Sequence, residues 1–74
     1  MTRLPRITGQ KPIVALKKAG FEVIRIKGSH HFLRHPYGRR TVVPAHRGEV
    51  LGPGLTAQIL IDCDIEIEEL IDLL

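Results

Sequence analysis

The spacing of apolar positions changes several times along this 74-residue chain, and each change marks an element. Ile13, Leu16 and Ala19 recur every third residue, with Lys17 and Lys18 between them. That is the stripe of an amphipathic helix facing a core. Thr8 is the expected cap at its start and Gly20 the expected stop. Pro12 fits such a helix only near its beginning, where its missing N–H is not needed. The rhythm then shortens. FEVIRIK (Phe21–Lys27), HHFLRH (His30–His35) and RRTVVP (Arg39–Pro44) read as three strands rich in β-formers. Gly28-Ser29 and Pro36-Tyr37-Gly38 separate them, and turns this short favour an antiparallel meander. LTAQILIDC, after Pro53-Gly54, returns to helical spacing. IEIEELIDLL forms a last helix with Ile67, Leu70, Ile71 and Leu74 on one face. Its opening acids Glu66, Glu68 and Glu69 suit the positive end of a helix dipole.

The expected order is α-β-β-β-α with an additional C-terminal helix: a two-layer α+β fold with helices against one face of the sheet. No repeat, low-complexity tract or linker interrupts it, so residues 1–74 are read as one domain. A hydrophobic fraction of 43% excludes a disordered chain. The single cysteine, Cys63, excludes an internal disulfide and fits a reducing cytoplasm. MTRLPRITGQ has no apolar run of the secretory kind, and no stretch is long enough to span a bilayer. A cytoplasmic protein with no membrane partner is the expectation.

Net charge is only +3, yet the two ends of the chain differ sharply. All eleven Lys and Arg precede Glu49, with Glu22 as their one accompanying acid; the other seven acids follow Gly48. A polyanion-binding surface explains this split, and so does attraction between the halves of one fold.

The chemistry concentrates in KGSHHF, Lys27–Phe32. On a strand, His30, Phe32 and Arg34 share one face while His31, Leu33 and His35 share the other. If Phe32 packs beneath the helices, His30 stands beside the core at the strand's entry. There it serves either as a proton-transfer group near neutral pH or as a hydrogen-bonded edge residue. A metal site built from His30, His31, His35 and His46 is disfavoured by geometry. His30 and His31 diverge, and His31 and His35 lie about 13 Å apart along an extended strand, whereas zinc ligands lie within about 2 Å of the ion. Ser29 sits in no nucleophile elbow, and its hydroxyl suits a turn. Gly28 alone makes no phosphate loop. What remains is a base among cations: Arg25, Lys27 and Arg34 flank His30, and Arg39, Arg40 and Arg47 follow. Such a patch can hold a phosphate backbone. RNA brings its own nucleophile, the 2′-hydroxyl, so cleavage requires only proton transfer and charge stabilisation.

With AGF closing the first helix, KGSHH one strand later, an HP-turn-G hairpin, VPAH at Val43–His46 and PG before the next helix, the chain resembles the HicA-type mRNA interferase toxins of bacterial and archaeal toxin–antitoxin modules. The resemblance covers nearly the whole length. It implies a double-stranded-RNA-binding-domain-like fold, ribosome-independent cleavage of mRNA and inhibition by a HicB-like antitoxin; a histidine within a basic patch suits that reaction with no metal or cofactor, so none is expected. The resemblance assigns the catalytic role to His30. Arg25, Lys27, Gly28, Ser29, His31, Arg34 and His46 are the accompanying RNA-binding candidates, with His46 auxiliary. Pro12, Leu55-Thr56 and Asp64 depart from the family pattern, the last where a helix-ending glycine is usual. Two other readings remain open: a non-catalytic RNA-binding module, and an interaction subunit whose partner is the antitoxin. Self-association and a heterocomplex with the antitoxin are both compatible with the sequence.

Overall fold

Leu16, Leu33, Val43 and Ile59 come from four different elements, and solvent reaches none of them appreciably. They mark where the helices and the sheet meet in the computed structural model, which describes residues 6–74. The elements are α1 (Gln10–Lys18), β1 (Glu22–Lys27), β2 (His30–Arg34), β3 (Arg40–Pro44), α2 (Pro53–Cys63) and α3 (Ile67–Leu73). This is the α+β order expected, including the extra C-terminal helix.

The sheet is antiparallel in the order β1-β2-β3. Pairing places Val23, Leu33 and Thr41 in one row and Ile26, His31 and Val43 in another. Directly opposed residues share a face, so these rows form the side that meets the helices. Leu33 and Val43 there join Ile13, Leu16, Phe21, Leu51, Ile59 and Cys63 in the core. Phe32 therefore does not pack beneath the helices. It lies only half-buried on the opposite face, and His30 goes with it. The sequence left this open because HHFLR offers an apolar residue to each face.

Helix α1 begins one residue later than Thr8 would set it. Gly9 is the N-cap, and no side chain caps the helix. Thr8 instead bridges Val50, and the Leu51 N–H donates to the Ile7 carbonyl at 2.8 Å, fastening the lead-in to the segment before α2. Gly9 is buried against the Pro44 carbonyl, where a Cβ would collide with backbone. Close approach, not capping chemistry, selects the residue at that position.

Helix α2 opens on Pro53 in its first turn and closes at Asp64, in the left-handed conformation at φ 53°, ψ 46°. Aspartate tolerates that region better than most side chains, and its carboxylate accepts a hydrogen bond from Arg39 at 2.9 Å. Helix α3 packs on α1 through buried Leu70, and the Lys18 Nζ donates to the Leu73 carbonyl at 3.2 Å. Ile67 is half-buried, while Ile71 and Leu74 remain exposed, so only part of the apolar stripe is covered.

Candidate functional site

The turn between β1 and β2 has two residues, and Gly28 adopts φ +60° at the first of them. A positive φ there is what a type II′ hairpin turn requires, and glycine supplies it without strain. Lys27 and His30 consequently face each other across the turn, and His30 in turn faces Pro44 on β3. His30 is exposed on the sheet face away from the core.

The same face carries most of the predicted cations. Arg25 pairs across from Phe32, with its guanidinium carbon 5.7 Å from the ring centre, a cation–π arrangement. Arg34 is flanked by Glu22 on one side and Arg40 on the other. Lys27, Arg34 and Arg40 are exposed and form no ion pair with a described residue. Arg39 is different: its guanidinium is held by Asp64. Four cations against one acid leave a positive surface around His30, and nearby solvent makes it sensitive to salt.

The other candidates converge on the turn itself. The Ser29 carbonyl accepts from the Ala45 N–H at 2.8 Å and lies 3.0 Å from His31 Nδ1. His31 is half-buried on the core side, so its imidazole braces the turn from beneath. The Ser29 hydroxyl lies 3.0 Å from His46 Nε2. This contact was not foreseen in the sequence, where Ser29 and His46 are 17 residues apart. The signal lay in strand register: His46 follows two residues after Pro44, the partner of His30. The hydrogen bond runs either way, serine to neutral imidazole or imidazole N–H to serine oxygen.

His35 belongs elsewhere. Its Nδ1 accepts the Tyr37 N–H at 3.2 Å, and its ring meets Phe21 edge-on and stacks on Tyr37, each at 5.1 Å between centres. It closes the second hairpin. Among the described residues no group of three or more His, Cys, Asp or Glu side chains is placed to hold a metal ion. Nor is any described helix long and apolar enough to cross a membrane.

Fold and site together define a small α+β domain whose solvent-facing sheet surface is cationic and carries an exposed histidine. The model of the HicA toxin family of bacterial toxin–antitoxin systems matches residues 9–65, from the cap of α1 to just past α2. The chain belongs to this family and is the toxin component of such a system, a class paired with an antitoxin. No curated protein matches the sequence.

Proposed function

We propose that this toxin is a metal-independent endoribonuclease that cleaves mRNA in the cytoplasm, with His30 transferring the proton. The observation that carries the reading is the placement of His30: exposed, across from Lys27, on the face that also bears Arg25, Arg34 and Arg40. An RNA strand laid on this face has its phosphates neutralised by Arg25, Lys27 and Arg34. Neutral His30 then takes the proton of a 2′-hydroxyl. The freed oxygen attacks the adjacent phosphorus, the bond from phosphorus to the 5′ oxygen breaks, and that oxygen takes up a proton from solvent water. The products are a 2′,3′-cyclic phosphate and a 5′-hydroxyl. Gly28 removes a side chain from the path of the strand. Ser29, braced by His31 and His46, fixes the backbone from which His30 projects.

The antitoxin in this reading is a HicB-like protein that covers the same cationic face. The acidic C-terminal helix does not perform that task for the toxin, since α3 packs on α1. The test is cleavage of a short RNA by the purified toxin in excess EDTA, beside the same RNA carrying one 2′-deoxy sugar at the scissile position. Cleavage of the first and survival of the second support the mechanism. Activity that disappears with chelation and returns with magnesium or zinc refutes it.

A further inference from the structure

An open groove of about 450 Å³ adjoins the His30 face. Ile24, Phe32 and Val42 line it, one from each strand, beside Leu33 and Thr41 of the core side, and α2 lines it with Gln58 and Asp62. We propose that this groove is a nucleobase subsite that holds a base next to the scissile phosphate and confers base preference on cleavage. The inference rests on the ribonuclease reading for its place in the reaction, but base binding itself can be measured apart from cleavage.

Position is the first argument. Phe32 lies two residues beyond His30 on the same strand and the same face, about 6.6 Å along it. A base resting on Phe32 therefore belongs to a nucleotide whose phosphate lies near His30. The β1 irregularity contributes as well: register shifts between Val23 and Arg25, so Ile24 and Arg25 together oppose Phe32. That bulge leaves Ile24 46% exposed at the groove floor. The volume lies within the ~300–1,000 Å³ range of small-molecule pockets.

Charge decides the occupant. The groove's lining carries one carboxylate, Asp62, and one cation, Arg40, so it has no excess of positive charge, while Arg25 and Arg34 lie outside it on the open face of the sheet. A phosphate or an acidic peptide entering the groove would meet Asp62, whereas an uncharged base would not be repelled. Phosphates are thus directed to the arginines and the base to the apolar floor. Stacking on an aromatic ring beside a basic track is the general means of holding single-stranded RNA.

The polar wall is also ordered. Asp62 accepts from the Thr41 hydroxyl at 3.0 Å and from the Gln58 amide nitrogen at 2.8 Å. Gln58 is thereby fixed with its amide oxygen and second N–H still available. An amide so held pairs with a base edge through a donor and an acceptor together. Asp62 retains lone pairs that favour an exocyclic amino group, so adenine and cytosine fit better than uracil.

The test uses two readouts. In the first, adenosine, cytidine and uridine, without phosphate, are titrated into isotopically labelled His30→Ala protein and followed by NMR. Shifts concentrated at Ile24, Phe32, Val42 and Gln58, stronger for adenosine and cytidine than for uridine, are expected. In the second, wild type, Phe32→Ala, Phe32→Trp and Gln58→Leu cleave oligonucleotides that differ only at the base beside the scissile bond. Phe32→Ala, with its fold verified by circular dichroism, should lose about tenfold or more in kcat/KM. Phe32→Trp should recover the rate, and Gln58→Leu should abolish the base preference. Nucleosides that leave the groove resonances unmoved, or an abasic substrate cleaved as fast as its parent, overturn the proposal. Groove resonances that respond to antitoxin alone overturn it too. A wild type that cleaves no RNA would instead refute the ribonuclease reading, and the nucleoside titration would still decide whether the groove binds bases.

Discussion

Cys63 provides a quantitative test of the core. The residue is 0% exposed, and burial, aided by the charge of Asp62, raises its thiol from the ordinary 9.0 to about 12. The neutral thiol is thus the form the fold accommodates. Below pH 9 both folded and unfolded chains carry it protonated, and stability is at its full value. Between pH 9 and 12 the unfolded chain ionises while the folded one resists, so the unfolded state gains. The slope is about 1.4 kcal/mol per pH unit, which amounts to roughly 3 kcal/mol by pH 11. Domains of this size rarely hold more than about 3–5 kcal/mol, so the loss approaches the whole stability. Urea unfolding of wild type and Cys63→Val at pH 8, 9, 10 and 11 isolates the effect, since lysines and tyrosine titrate in both. The wild type should lose stability more steeply by about that slope. Parallel curves for the two proteins would show that Cys63 is not held neutral by burial.

Replacing Leu33, buried at the centre of β2, by alanine should cost about 2–5 kcal/mol and leave much of the protein unfolded at 37 °C by circular dichroism. Changing Arg25, Lys27 and Arg34 together to glutamine should flatten the dependence of log K on log salt for single-stranded RNA by about 2, with weaker antitoxin binding. An unchanged slope in a filter-binding titration would remove these residues from the phosphate path. Changing Glu66, Glu68 and Glu69 to glutamine should leave both the cleavage rate and inhibition by antitoxin as in the wild type. Much faster cleavage without partner would show that the acidic helix masks the site.

The element order was legible because each segment carried its own punctuation: Gly20 after a three-residue stripe, Gly28-Ser29 and Pro36-Tyr37-Gly38 between β-rich runs, Pro53 at the opening of the second helix. The face that β2 turns to the core was not. His-His-Phe-Leu-Arg lacks the polar-apolar alternation that decides such questions, and the outcome depends on which strand residues Ile13, Leu16 and Ile59 reach. Capping misled for a related reason. Thr8 has the right chemistry, but its backbone pairs with Val50, and the Pro44 carbonyl allows only glycine at the next position. The surroundings of Ser29 were equally hidden, since the partner that reaches its hydroxyl lies beyond the end of β3. The placement of Arg25, Lys27, His30 and Arg34 on one face followed from alternation, because the register shift between Val23 and Arg25 lies outside the regular pairing of Arg25–Lys27 with His30–Phe32.

The central claim is that His30 carries the proton transfer, and one comparison addresses it most directly. Wild type, His30→Ala and His31→Ala are purified, checked for native circular dichroism, and given the same RNA in EDTA under single-turnover conditions. The account predicts that His30→Ala loses cleavage and no longer arrests growth when expressed. His31→Ala, whose ring points to the core side and braces the turn, should lose far less. A folded His30→Ala protein that cuts RNA at a rate comparable to the wild type would contradict the account.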